Sequence, residues 1–346
     1  MVRPMKAITF QDIETLALEE VAEPTLESPG DVIVRVEAAG ICGSDLHVYH
    51  GREAGLDAGT IMGHEFVGEV VEVGPAVDTW SPGDRVLSPF TTNCGRCEYC
   101  VEGLTSRCIE GQLFGWVEGG RGLHGCQADF VRVPLADSTL VRVPEGLSRE
   151  ASLFAGDILS TGFFGAETAG AAPGRTVAVV GCGPVGQMAI LAARHLGADE
   201  VVALDRVPER LELAQRFGAD LTASDPGELG GKRIDAVVEA VGSPGATGAA
   251  FDLVRPGGVI SAVGVHTEEH FAFSPGDAYD KNLTYRAGRC PVRHYLDRVL
   301  EVAADHDSLL RSLVSHPMSL DEGVRGYDLF ARRVDGCTKV VLISGS

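Results

Sequence analysis

Four cysteines, Cys94, Cys97, Cys100 and Cys108, follow the pattern C-x2-C-x2-C-x7-C. The short loops Gly95-Arg96 and Glu98-Tyr99 let four thiolates converge on one tetrahedral ion at about 2.3 Å from each sulfur, the geometry of a structural zinc. Four thiolates leave no open position, so such an ion braces a loop and does no chemistry. Iron–sulfur ligation and a set of buried or disulfide-bonded cysteines are the competing readings. Upstream lie Cys42, in Gly40-Ile41-Cys42-Gly43-Ser44-Asp45, and His64, in Gly63-His64-Glu65. A thiolate with an imidazole is a borderline-soft pair that also suits zinc. Taken singly, Cys42 reads equally well as a buried small hydrophobe and His64 as a hydrogen-bonded turn residue.

A third motif, Gly181-Cys182-Gly183-Pro184-Val185-Gly186, follows an apolar strand and opens a helix. In that context the G-x-G-x-x-G spacing gives a tight turn and lets a pyrophosphate approach the helix N-terminus. The acidic residue expected about 20 positions on is Asp205. Its carboxylate suits the adenosine ribose and repels a 2′-phosphate, which favours NAD over NADP. Arg206 follows directly and could pair with a phosphate.

These residues need two kinds of scaffold. Up to about residue 150 the chain shows short alternating strands punctuated by Gly and Pro, as in Asp31–Ala38, Gly68–Val73, Asp84–Leu87 and Phe130–Val133. From Arg175 the texture becomes strand Thr176–Val180, helix Val185–Leu196, strand Glu200–Leu204, helix Pro208–Phe217 and strand Ile234–Glu239. Alternation of this kind implies a parallel α/β sheet with right-handed crossovers. Val259–Val265, after the turn Arg255-Pro256-Gly257-Gly258, and Thr338–Ile343 read as further strands; Tyr295–Ala304 and Leu320–Ala331 read as helices. The C-terminal segment is expected to return to the first domain. The expected division is residues 1–156 with 290–346, and 157–289.

The order of motifs resembles the zinc-dependent alcohol dehydrogenases of the medium-chain dehydrogenase/reductase superfamily over essentially the whole chain. Gly40-Ile41-Cys42-Gly43-Ser44-Asp45-Leu46-His47 is similar to that family's first catalytic-zinc segment, and Gly63-His64-Glu65-Phe66-Val67-Gly68 to its second. The resemblance implies a GroES-like, mostly β catalytic domain beside a doubly wound Rossmann sheet. It also implies Cys42, His64 and Asp157 as catalytic zinc ligands, with Glu65 either entering the coordination sphere or supporting it. The bland reading of Asp157 is a helix N-cap. Ser44 and His47 match the family's proton relay; as plain residues they read as a cap and an exposed turn histidine.

The same resemblance sets Thr161, Arg210, Ala240, Val263, Val265 and Lys339 beside the cofactor. It puts Phe90 and Trp116 against the substrate, where both could equally be core aromatics. It implies two zinc ions per chain, one closed and one open, a homo-dimer or homo-tetramer, and a small secondary alcohol or polyol as substrate. Sugar, threonine and formaldehyde dehydrogenases share the plan, and a non-catalytic NAD sensor is the alternative of a different class.

Bulk composition excludes other partners. Acidic residues outnumber basic ones 49 to 29, a net charge of −20 that repels nucleic acid and anionic membrane surfaces. This disposes of a zinc-ribbon nucleic-acid module. No apolar run reaches the 18 residues of a membrane span. With no signal peptide and with thiols committed to metal, the cytoplasm is the expected compartment.

Overall fold

The computed structural model describes residues 3–267 and 269–344, in two compact units, Met1–Asp157 with Pro291–Ser346, and Ile158–Cys290. In the second, Val- and Ala-rich runs make the strands. Ile234–Glu239 is buried at every position, as a strand covered on both faces requires. The parallel sheet runs Leu221–Ala223, Glu200–Leu204, Thr176–Val180, Ile234–Glu239, Val254–Ala262, Thr284–Ala287. In sequence terms this is order 3-2-1-4-5-6, the Rossmann arrangement. Helices Pro184–His195, Pro208–Arg216 and Pro244–Leu253 each open on proline, where a missing N–H is harmless.

The first unit is built on a seven-stranded, mostly antiparallel sheet. Val32–Gly40 pairs with Glu65–Val73, with Phe130–Val133 and with Val340–Ile343 from the far end of the chain. The C-terminal segment thus re-enters this unit. Its apolar residues join a core with Ile8, Ile41, Met62, Tyr327, Val340 and Leu342. No helix among the described residues is long and apolar enough to cross a membrane.

Three elements depart from expectation for local reasons. The strand expected from Gly68 begins at Glu65, because Gly40, Ala39 and Ala38 continue the ladder against Glu65, Phe66 and Val67. Arg255-Pro256-Gly257-Gly258 is no separating turn but lies inside Val254–Ala262, where the pairing with Ile234–Glu239 shifts register. The stretch expected as one helix from Leu320 is a 3-10 turn, Leu320–Glu322, capped reciprocally by Ser319 and Glu322, then the helix Gly323–Arg332. Asp157, expected with the dinucleotide unit, closes the first. Gly156 before it lies so near Ser88 that a Cβ would sit 2.5 Å from the Ser88 carbonyl.

Helices Ile158–Ala169 and Pro184–His195 approach backbone to backbone at Gly162, where a Cβ would lie 2.5 Å from the Ala189 nitrogen. In an open helix Gly→Ala stabilises by about 1 kcal/mol. Here the added methyl overpacks, so Gly162→Ala is expected to destabilise the chain by about 1–3 kcal/mol. Chemical denaturation checks the sign.

Candidate active site

The register of Val32–Gly40 against Glu65–Val73 aligns Gly40 with Glu65, so Cys42, just past one strand, meets His64, just before the other. Asp157 joins them after the helix Arg149–Ala155. Ligand atoms of Cys42, His64, Glu65 and Asp157 all lie within 4.8 Å of one another, and all four residues are buried. His64 Nε2 is 3.3 Å from Asp157 Oδ2, and Cys42 Sγ is 3.6 Å from the same oxygen. On the ring's other side, Nδ1 faces Asp45 Oδ1 at 3.0 Å, which leaves Nε2 to the cluster.

Burial and neighbouring carboxylates set the electrostatics of the cluster. Burial pushes the Cys42 thiol up to about 11, with Asp157 and Glu65 adding to the rise. Burial opposes a charge on His64, yet Asp45 and Asp157 overrule it and hold the imidazole well above its ordinary value. Sulfur, nitrogen and carboxylate oxygen on three residues match the donor set of an open zinc site. The residues present therefore fit that ion.

Glu65 has another partner. Lys339 Nζ donates to Glu65 Oε1 and Oε2 at 2.8 and 2.7 Å and to the Ile41 carbonyl at 3.0 Å, and neither side chain has exposed surface. Burial works against the ammonium, but Glu65 holds its pKa above the ordinary value. This corrects the expectation of Lys339 at a pyrophosphate: its three N–H bonds are all committed inside the first unit. Gly40 is required beside this pair, since a Cβ there would lie 1.9 Å from Glu65 Oε2.

Ser44 and His47, the two residues expected in a proton relay, make no side-chain hydrogen bond to one another among the described residues. Ser44 makes no side-chain cap to the helix Asp45–Tyr49; its Oγ lies 3.1 Å from His64 Nε2. His47, one turn on, is buried, and its Nδ1 has no hydrogen-bond partner among the described residues. Burial lowers its pKa, with Arg52 and His50 contributing and Glu53 opposing. Phe90 stands edge-on to His64, ring centroids 6.3 Å apart. Trp116, in the hairpin with Leu123, packs against the apolar cluster that contains Ile41, Val48 and Met62.

The four-cysteine loop is as compact as its spacing requires, with all four sulfurs within 4.8 Å of one another. Backbone N–H groups point at the sulfurs: Cys94 N–H to Cys108 Sγ at 3.2 Å and Cys97 N–H to Cys94 Sγ at 3.4 Å. Backbone donation by Ile109 and Cys100 pulls Cys97 down to about 6, while burial and the neighbouring thiol of Cys97 push Cys100 up to about 12. Cys94, Cys97, Cys100 and Cys108 form no disulfide, so the disulfide reading of this loop falls.

In the glycine motif the three glycines do three different things. Gly181 turns the chain at φ +90°. A Cβ on Gly186 would lie 1.8 Å from the Gly181 carbonyl, so the helix can start only on glycine there. A Cβ on Gly183 would meet nothing nearer than Arg210 Nη1 at 3.9 Å. The bare backbone at Gly183 faces open space, as a cradle for a pyrophosphate requires. Val185 lies in the first turn of that helix, after Pro184. Asp205 accepts from Cys182 N–H at 2.7 Å and Val207 N–H at 2.9 Å, with Arg210 Nη1 3.7 Å away; Arg206 is exposed.

Sequence reasoning missed several supporting groups. Gln187 ties the loop down through Cys182 and Arg210 carbonyls at 2.8 and 2.9 Å. Glu239, fully buried at a strand end, accepts from Val241 and Gly242 N–H at 2.8 and 2.9 Å and contacts His266 Nε2 at 2.9 Å, fixing the turn beside Ala240. Val265 is exposed next to it, Val263 and Ala240 half-buried, as is Thr161 on its helix. A carboxylate inside an apolar strand was the available signal for Glu239.

Residues 28–145 match the family described as alcohol dehydrogenase GroES-like domain, and residues 184–305 that described as zinc-binding dehydrogenase. Zinc-type alcohol dehydrogenase B of Aspergillus flavus is 40% identical over 94% of this chain and 78% of its own length. Among solved structures, the alcohol dehydrogenase TADH from Thermus sp. ATN1 superposes with a TM-score of 0.90 at 41% identity, covering 99% of this chain and 100% of that one. A zinc-binding dehydrogenase from Sinorhizobium meliloti 1021, bound to NADP, gives 0.83 at 27% identity, covering 99% of each chain. With a GroES-like unit, a Rossmann unit and both metal-type clusters in one chain, the protein belongs to the zinc-type alcohol dehydrogenases of the medium-chain dehydrogenase/reductase superfamily.

Proposed function

We propose that this protein interconverts a small alcohol and its carbonyl with a nicotinamide dinucleotide, using one catalytic and one structural zinc. The observation that carries the reading is the convergence of Cys42, His64 and Asp157 in a buried cluster, with Glu65 paired to Lys339. With Glu65 committed to Lys339, three protein donors remain for an ion, the number a catalytic zinc site uses. Zinc held there supplies Lewis acidity that lowers the pKa of a hydroxyl or polarises a carbonyl. The dinucleotide supplies hydride acceptance and return.

The residues do the rest. Ser44 Oγ, 3.1 Å from His64 Nε2, is close enough to the cluster to take a hydrogen bond from a substrate hydroxyl and orient it. His47 is a buried imidazole with an unused nitrogen, suited to accept the proton through an intervening hydroxyl and release it. Phe90 packs beside His64 and excludes water from that side, and Trp116 supplies a second apolar wall. Asp157 as the third donor supports the secondary-alcohol and polyol branch.

Gly181, Gly183 and Gly186 hold the pyrophosphate, and Asp205 the ribose. A structural relative binds NADP, so the preference for NAD rests on the Asp205 carboxylate. Thr284–Ala287 ends the six-stranded sheet with a free edge, and Tyr279 nearby in sequence is 83% exposed, which supports pairing of two copies there. Thiols gathered for a metal in the four-cysteine loop support a reducing, cytoplasmic setting.

Purified enzyme should hold two zinc ions per chain and form NADH from short secondary alcohols or polyols. Cys42→Ala should remove one zinc and all detectable turnover while NADH binding, followed by fluorescence, stays near the parent value. Retained turnover would refute the catalytic assignment. Asp205→Gly should raise the NADP to NAD ratio of kcat/KM by about tenfold or more, roughly 1.4 kcal/mol; an unchanged ratio in steady-state kinetics would refute its role.

A further inference from the structure

His64 can offer Nε2 to Cys42 and Asp157 only while its other nitrogen is held, and the holding group is itself held. Asp45 Oδ1 faces His64 Nδ1 at 3.0 Å. Asp45 Oδ2 accepts the Cys42 N–H at 2.9 Å and an N–H of Gln127 Nε2 at 3.3 Å. The same Gln127 nitrogen donates to the Gly40 carbonyl at 3.0 Å. Its oxygen accepts the Tyr327 hydroxyl at 2.8 Å, from a helix 200 positions later in the chain.

The direction of this chain of bonds is unambiguous. The Gly40 carbonyl can only accept, so the Gln127 nitrogen must face it and the oxygen must face Tyr327. Gln127 and Tyr327 have no exposed surface, and no other geometry would leave the amide satisfied. Burial holds the Tyr327 phenol well above its ordinary value, so it remains a donor across the working pH range.

Gln127 also has one place to be. Its N–H bonds the Met62 carbonyl and its carbonyl accepts the Ile8 N–H, both at 2.9 Å. Gly63, immediately before His64, has φ +91°, and a Cβ there would lie 2.4 Å from Gln127 Cγ and 2.9 Å from Nε2. The glycine beside the metal ligand is therefore glycine because the Gln127 side chain lies against it.

We infer that Gln127 and Tyr327 are positioning residues for the open metal site. They fix Asp45, Asp45 fixes the ring of His64 with Nε2 toward Cys42 and Asp157, and that aim sets how tightly the site holds its ion. The inference rests on the zinc reading given above. The Tyr327 hydroxyl bonds Gln127 and no ligand among the described residues, so its inferred effect on the ion is routed through Gln127 and Asp45.

Zinc release from the loaded, full-length enzyme, followed with a chromogenic zinc indicator against a competing chelator, tests this. The parent should give two populations, one per site. Tyr327→Phe should weaken zinc retention at the Cys42–His64–Asp157 site by about tenfold, the low end for supporting residues. It should leave the four-cysteine site and NADH binding unchanged. Gln127→Glu, which turns a donor facing Asp45 into a second carboxylate, should weaken the same population at least as much. In an Asp45→Asn background, Tyr327→Phe should add little, because both act through one bond.

Parent-like release from both variants would overturn the inference. So would equal weakening of both zinc populations, which would mean general loosening, or full additivity with Asp45→Asn. A parent enzyme with a single zinc population would instead refute the zinc reading, and this inference with it.

Discussion

Charge in a dry interior is the constraint on which the first unit depends. Cys42, Asp45, His64, Glu65, Asp157 and Lys339 are all buried within one cluster, and an unpaired charge there costs several kcal/mol. Lys339 answers Glu65, with no solvent contact for either. Asp45 is answered by His64, the Cys42 N–H and Gln127. What is left is a thiol whose proton is hard to remove, one face of an imidazole and one carboxylate, all aimed inward. These are the groups to which the proposed function assigns a divalent ion, whose Lewis acidity would serve the alcohol chemistry.

The fold serves that constraint by bringing distant segments to one place. Two strand ends deliver Cys42 and His64, a helix end delivers Asp157, and the returning C-terminus delivers Lys339 and Tyr327. The glycines around the site are spatial necessities: Gly40 makes room for Glu65, and Gly63 for Gln127. The same logic holds in the glycine turn of the second unit. Gly186 is glycine because the helix starts against the Gly181 carbonyl, whereas Gly183 is bare where nothing in the protein needs the room.

Much of this was legible in the residues. The C-x2-C-x2-C-x7-C spacing carries its own geometry, and the G-x-G-x-x-G turn declared itself between a Val-rich strand and a helix opening on Pro184. Strands with a continuous apolar run, such as Thr176–Val180 and Ile234–Glu239, were found to the residue. The start of the strand at Glu65 is not legible, because it is set by pairing with Gly40, Ala39 and Ala38, and the burial of Glu65 depends on a partner 274 positions away. For the same reason Lys339 was misread: no local pattern distinguishes a lysine bound for a phosphate from one bound for a buried glutamate. Gln127 and Tyr327 carry no motif at all, since their roles exist only in the tertiary hydrogen bonds they make.

Anomalous diffraction at the zinc edge from crystals of the purified enzyme addresses the catalytic assignment most directly. The account predicts two peaks per chain. One lies among the sulfurs of Cys94, Cys97, Cys100 and Cys108. The other is bonded to Cys42 Sγ at about 2.3 Å, His64 Nε2 at about 2.0–2.1 Å and an Asp157 oxygen at about 2.0–2.2 Å, with Glu65 still on Lys339 and the fourth direction free. A single peak at the four cysteines, or a second ion whose sphere Glu65 closes, would contradict it.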